Sequence, residues 1–421
     1  MCSPGVARLG VVALLTALAA APACAQAGAV PPVRGIGIAN IGASTPLEEI
    51  DADLDQAAVL GAKTVRAEVS WAALAPDGPD SRQTDYLDRL DRLVSGARTR
   101  HIKPLLLLLR SPCWASSAPG APDTCPDDAT DYPPRAASDY ADIAAWIATR
   151  YRGRLAGIEI WNEPDHDAEP YFKGPDKPAR YAELLKAADQ ALKAADPKLP
   201  VIAGSLVGSN GAFLEALYDE GIRGHYDGLA VHYYDLTLAS LRSIRAVQRA
   251  HEDRTPLWLT EFGWTSCYPG AQTEGEHKCV TAKQQALDLG DLFRALRGHS
   301  WVRAAVVYKL RDTADERFGM LTAGGKRKPA FAVLRTALRS GLGRPRAIQA
   351  RVRGRRLSGR APAGDTLSIN GFRPDGTFFF HVDLAPDRFG RFSLQLPGAV
   401  SDGDKLTVSQ AWTGRAKSVR V

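Results

Sequence analysis

The sequence predicts an α/β fold: a (β/α)8 TIM barrel with a small C-terminal antiparallel β-sandwich. Three observations lead there. Between residues 33 and 343, short and nearly continuous apolar runs alternate with amphipathic segments, the pattern of strands buried on both faces and covered by helices. Eight such runs fall within about 310 residues, an ordinary size for that barrel. Past residue 344 the helical spacing stops and short alternating segments begin.

The elements follow in order. The first 26 residues, "MCSPGVARLGVVALLTALAAAPACAQ", carry one basic residue, Arg8, then an apolar stretch and a small-residue "ACA" suited to cleavage after Ala25. Residues 1–25 therefore read as a secretory signal, and the exported chain is secreted or periplasmic. Lipid anchoring through Cys24 is the minor alternative, because "APAC" lacks the Leu expected three residues before the cysteine. No later stretch is long and apolar enough to span a bilayer, so no transmembrane segment is expected.

The eight strand candidates are "GIGIANIG", "TVRAEVSW", "KPLLLLLR", "LAGIEIWN", "PVIAGSL", "DGLAVHYY", "PLWLTEFGW" and "AAVVYKLR". Segments such as "TDYLDRLDRLVSGART", "YADIAAWIATRY" and "ARYAELLKAADQALKAA" repeat apolar positions at helical spacing between them. An open doubly wound sheet is the alternative, and the lack of a Gly-rich loop after the first strand removes that fold's commonest function.

Removing the signal leaves Cys113, Cys125, Cys267 and Cys279. Each pair brackets a polar loop, which in an oxidising compartment reads as two local disulfides. The spacing does not suit a zinc site, and no metal or organic cofactor is expected.

Domain bounds are drawn at 26–343 for the barrel and 344–421 for the accessory module. The module holds 14 Lys and Arg against 6 Asp, a net charge of +8, whereas residues 26–343 carry −3. "DTLSING", "TFFFHVDL", "RFSLQL" and "KLTVSQAW", with turns at "RPDG" and "SDGD", read as its strands. Its basic surface suits an anionic glycan or the cell envelope, with a solvated stabilising appendage as the plain alternative. No nucleic-acid partner is expected.

In a barrel of this kind the chemistry sits where the strands end. The fourth strand exits into "WNEPD", with Asn162 and Glu163; the seventh ends with Glu261, 98 residues on. Two carboxylates facing each other across the mouth form an acid paired with a nucleophile or base. Arg66 on the second strand can hold a carboxylate ionised, and His232 and Tyr234 on the sixth can hydrogen-bond to a carboxylate or a sugar. Trp71, Trp114, Trp161 and Trp264 lie at or just past strand exits, where flat rings suit sugar faces. Singly, each has a structural reading: an ion-pair partner, a core histidine, a packing ring. Their convergence at one end favours a site.

This set, "WNEP", "TEFGW", "HYY" and Arg66, resembles clan A of the glycoside hydrolases, including the family 5 cellulase-like enzymes. The segment "VYKLRDTADERFGMLTAGGKRKPAFAVL" is similar to the ending of family 39-like endoglycosidases encoded with bacterial exopolysaccharides. The resemblance implies that Glu163 is the acid/base, Glu261 the nucleophile and Asn162 the contact to a sugar 2-hydroxyl. It also implies that Arg66 and Tyr234 support Glu261 and that His232 lines the site. In place of the tryptophan many members carry after strand eight, this chain has Tyr308, Lys309 and Arg311. Lys309 and Arg311 would recognise an anionic or acylated sugar, unless Arg311 only pairs with Asp312. The expected activity is retaining hydrolysis of a β-linked polysaccharide or oligosaccharide, endo-acting on a bacterial exopolysaccharide or similar glycan. An exo-acting β-xylosidase-like enzyme and a non-catalytic glycan-binding barrel are the alternatives.

Overall fold

The computed structural model describes residues 33–421 except 39–40, 43–44, 169–170, 209, 235–237, 268–272, 275–276, 298, 343–346, 362–366, 388–389 and 411–414. The signal with Cys24, the 343/344 boundary and Trp412 of "KLTVSQAW" lie outside the described residues.

Eight parallel strands close into a barrel: β1 (Val33–Gly37), β2 (Thr64–Ser70), β3 (Lys103–Leu109), β4 (Gly157–Ile160), β5 (Val201–Leu206), β6 (Gly228–Tyr234), β7 (Leu257–Gly263) and β8 (Val302–Val307). Neighbours in sequence are neighbours in the sheet, and β8 pairs back onto β1 to remove both edges. The larger apolar core lies between this sheet and its helices. There the leucine run of β3 meets rings such as Tyr140 and Tyr181, which are fully buried. A second cluster of Leu105, Ile202, Ala230, Trp258 and Ala304 comes from strands alone and plugs the barrel interior. Gly228 makes room for that plug, because a Cβ there would stand 2.4 Å from the Trp258 ring.

Helix ends follow local chemistry. Thr281 caps the helix Ala282–Leu296 by accepting from the Gln284 amide at 3.1 Å, and Gly61, at φ 86°, ends the helix Leu47–Leu60. Both expected disulfides form, Cys113–Cys125 with Cα atoms 5.5 Å apart and Cys267–Cys279 at 5.4 Å. They close the loops that follow β3 and β7.

The module has two antiparallel sheets around a core of its own. One is β9 (Gln349–Arg353), β10 (Arg356–Arg360) and β13 (Arg391–Gln395). The other is β12 (Phe378–Leu384), β11 (Leu367–Phe372), β14 (Lys405–Gln410) and β15 (Arg415–Arg420). Leu357 and Phe392 from the first pack with Ile369, Leu406 and Val408 from the second, as a sandwich requires.

Candidate active site

The inward-facing side chains near the ends of β2, β4, β6 and β7 form one hydrogen-bonded cluster, and a single guanidinium organises it. Arg66 donates through Nε to Glu159 at 2.6 Å, through Nη1 to Glu261 at 2.5 Å and through Nη2 to Asn162 at 3.2 Å. A planar, permanently charged fork can satisfy at once two acceptors from β4 and its exit, Glu159 and Asn162, and a third from β7, Glu261.

Two irregularities aim the remaining groups. Between β6 and β7 the register shifts, so that Val231 faces Leu259 while His232 faces Glu261, leaving Thr260 as an extra residue. Such a bulge lets consecutive side chains point the same way. The Thr260 hydroxyl donates to Glu159 at 2.8 Å while Glu261 accepts from Arg66. A second shift, between Gly204 and Leu206, isolates Ser205 at φ 61°, and its hydroxyl donates to Glu159 at 2.7 Å. The exit of β4 is also bent, with Trp161 at φ 63° and Glu163 at φ 45°. Left-handed backbone at bulky residues is held only where surrounding packing enforces it.

His232 bridges the carboxylates. Its Nδ1 lies 2.7 Å from Glu163 Oε1, and its Nε2 lies 3.0 Å from the Thr260 hydroxyl. Burial opposes its charge, yet the Glu261 charge, the nearby Glu159 carboxylate at 3.7 Å and the hydrogen bond to Glu163 raise its pKa to about 9. Burial likewise works against ionised Glu261, but His232, Arg66 and the Tyr234 hydroxyl outweigh it and bring that carboxyl below its ordinary range. Glu159 shows the same balance: full burial is overcome by Arg66 and His232, and the group is ionised.

Glu163, His232 and Glu261 each offer an atom within 4.8 Å of the other two, and these are ligand types that a divalent cation accepts. The Arg66 guanidinium, bonded to Glu261, already supplies positive charge there and repels a further cation.

Sequence reasoning missed Glu159, which hides inside the apolar-looking "LAGIEIW". Its only signal was a carboxylate four residues before Glu163 in a strand that must be buried. It also misplaced two tryptophans. Trp71 is 1 % exposed, with its ring edge-on to Trp114 and Tyr140, and Trp161 is fully buried against Tyr140 and Phe172. Strand-exit position alone does not tell an inward ring from one turned into the helical layer, and neither has a face free for a sugar. Trp264 is nearly buried as well, whereas Trp114 is half-buried, donating to the Ala75 carbonyl at 2.8 Å. Tyr308 stands edge-on to Tyr234 at 5.3 Å and reaches Glu316 at 3.2 Å, so it borders the cluster.

The cations after β8 are committed elsewhere. Lys309 pairs with Glu316, Arg311 with Asp53 at 2.8 Å, and Asp312 with Lys328 at 3.1 Å. The expected Arg311–Asp312 pair is thus replaced by two longer-range pairs. Adjacent residues on an extended segment point apart, so each finds a partner on another element.

The sequence of residues 32–289, more than half of the chain, matches the cellulase family profile, glycosyl hydrolase family 5. The chain belongs to that family. It is accordingly a clan A glycoside hydrolase of the retaining type, with family 39 resemblance in its fold. No curated protein matches its sequence. Among solved structures, a family 39 glycoside hydrolase from Bacteroides cellulosilyticus WH2 is similar at TM-score 0.56 and 18% identity, over 87% of this chain and 79% of that one. A family 39 β-xylosidase from Caulobacter crescentus is similar at TM-score 0.55 and 18% identity, over 88% and 98%. The family 39 enzyme from Xanthomonas axonopodis pv. citri reaches TM-score 0.54 at 15% identity, over 88% and 93%. At these identities the likeness is one of fold.

Proposed function

We propose that Glu163 and Glu261 are the acid/base and the nucleophile of this hydrolase, acting on a β-linked polysaccharide at internal bonds. One observation carries the reading: carboxylate oxygens of the two residues lie within 4.8 Å. Retaining pairs stand ~5 to 5.5 Å apart, too close for an intervening water and close enough for direct attack. Arg66 and Tyr234 keep Glu261 anionic and aimed. Glu163 accepts from His232 through Oε1, which leaves Oε2 to carry the transferable proton.

In the first step the Glu261 carboxylate bonds to the anomeric carbon as the glycosidic C–O bond breaks, and Glu163 gives its proton to the departing oxygen. In the second, Glu163 takes a proton from water, which attacks that carbon and releases Glu261. In this reading Asn162, which accepts from Arg66, is the 2-hydroxyl contact, and Trp114, Trp264 and Tyr308 form the aromatic border of the sugar site. The domains divide at 343/344, the exported enzyme works in the periplasm or outside the cell, and the basic module keeps it at an anionic glycan. Exo action on a β-xyloside is the second reading, favoured by the likeness to the Caulobacter β-xylosidase.

Anomeric NMR of released sugar, azide rescue and product sizing test these readings. Glu163→Ala should lose about 10² to 10⁴-fold in turnover of poor leaving groups while sparing the first step on activated aryl glycosides. Azide should then yield a β-glycosyl azide of retained configuration from Glu163→Ala and an inverted one from Glu261→Ala. Reversed roles, or an inverted product from the wild-type enzyme, sink the assignment. Single-sugar products from polysaccharide would replace endo action with exo.

A further inference from the structure

The strand register sorts the module's charge onto one face. Along β9, β10 and β13 alternate residues point inward: Ala350, Val352, Leu357, Phe392 and Leu394 join the sandwich core. The outward set forms three cross-strand rows. The first is Gln349, Arg360 and Arg391; the second Arg351, Ser358 and Ser393; the third Arg353, Arg356 and Gln395. Five of nine outward side chains are arginines, the others are amides and hydroxyls, and none is acidic or apolar. A cleft of about 580 Å³ opens over the first two rows, with Asp387 at its rim.

The opposite sheet is a control within the same domain. Its outward face is mixed: Ser368 and Asp383 hydrogen-bond at 2.7 Å, Asn370 and His381 at 2.8 Å, and Thr407 and Ser418 at 3.0 Å. Both are antiparallel sheets of one sandwich, of three and four strands, and a sandwich does not of itself call for an arginine-rich outer face. Arg353 stands directly opposite Arg356, and like charges in such pairs destabilise a sheet. The other sheet carries one such pair, Lys405 opposite Arg420, whereas this face has two, Arg353 with Arg356 and Arg360 with Arg391, among five arginines; a ligand that neutralises the set is the physical account.

We infer that this three-stranded face binds a linear polysaccharide bearing carboxylates. Arginine forks match carboxylates two bonds at a time, and the amides and hydroxyls among them suit sugar hydroxyls. Neighbours ~4.8 Å apart within a row, and rows ~6.8 Å apart along the strands, give a grid that engages successive charged sugars rather than one small anion. The choice of a glycan over another polyanion rests on the hydrolase reading of the barrel.

Binding of full-length exported protein to polygalacturonate, to its methyl ester and to double-stranded DNA tests the inference, alongside turnover of an aryl glycoside. The triple variant Arg351→Gln, Arg353→Gln, Arg360→Gln should bind polygalacturonate on the order of 10- to 100-fold more weakly, the product of modest exposed ion pairs. Its aryl-glycoside turnover and circular dichroism should be unchanged. Lys405→Gln with Arg420→Gln, an adjacent pair on the other sheet, should leave binding unchanged. The methyl ester should bind weakly, and added salt should weaken polygalacturonate binding. Unaltered binding by the folded triple variant overturns the site, as does an equal loss in the control pair. DNA bound more tightly than polygalacturonate overturns the ligand. Because turnover reports only the barrel, its failure in wild type rejects the hydrolase roles without touching this result.

Discussion

The barrel mouth and the outer sheet of the module both depend on arginine, yet they use it in opposite ways. Arg66 is buried and spends its fork on two carboxylates and an amide. The module's arginines are exposed and lie beside one another, with no acid among the nine outward residues of that face. A buried cation is tolerated only when its partners are fixed in advance, so the mouth is rigid and its charges are set before substrate arrives. An exposed cationic face acts through solvent and is governed by salt. The first kind of charge suits bond breaking and the second suits holding a polymer.

Replacing Arg66 should break this comparison most sharply. Arg66→Gln leaves Glu159 and Glu261 buried without their shared cation, and removing one member of a buried ion pair destabilises by about 3 to 5 kcal/mol. Urea unfolding at neutral pH measures it; a loss below about 1 kcal/mol would mean that water reaches the cluster.

The second prediction uses pH. His232 has a folded pKa of about 9, above the ordinary imidazole value, so its charge stabilises the fold fully below that ordinary value. The stabilisation is lost as pH rises through about 9, and it amounts to something on the order of 3 kcal/mol. Wild-type stability minus that of His232→Gln should fall between neutral pH and pH ~10. A flat difference would show that His232 is neutral in the folded protein. Glu261 works from the other side: its lowered pKa gives stability above the ordinary carboxylate range, lost as pH falls through its folded value.

The disulfide loops come next. Cys113→Ser with Cys125→Ser, and likewise the Cys267 and Cys279 pair, should each lower stability by roughly 3 kcal/mol through freedom returned to the unfolded chain. Non-reducing peptide mapping checks the pairing, and a Cys113–Cys267 crosslink would contradict it.

The sequence made the barrel legible because strands buried on both faces leave continuous apolar runs, and "KPLLLLLR" has no other good reading. Glu163, Glu261 and Arg66 were legible because charges at the ends of such runs demand a reason. Glu159 was not, because one acid inside a strand looks like noise until its hydrogen-bond donors from β2, β5 and β7 are known. Nor were the bulges at Ser205 and Thr260, which depend on register between strands. Trp71 and Trp161 were misread because a strand exit specifies position along the chain and leaves ring orientation open. The partners of Arg311 and Asp312 lie 258 and 16 residues away, beyond the reach of local pattern.

The smallest predicted effect has the opposite sign to the largest and comes from the same chemical change. Arg353→Gln removes one member of the Arg353–Arg356 cross-strand pair, which flanks the turn between β9 and β10. Cross-strand charge pairs are worth roughly 0.2 to 1 kcal/mol, and relief of a repulsive one should raise stability within that range. The gain should shrink as salt screens the pair, whereas the loss at Arg66 should barely respond, since buried charges are shielded from ions. Paired urea titrations of Arg66→Gln and Arg353→Gln at low and high salt read both trends. A destabilised Arg353→Gln would mean that the arginine stem packs as part of the sheet and that repulsion is the lesser force. It would also remove the argument that this face is arranged at the expense of stability in order to meet an anionic partner.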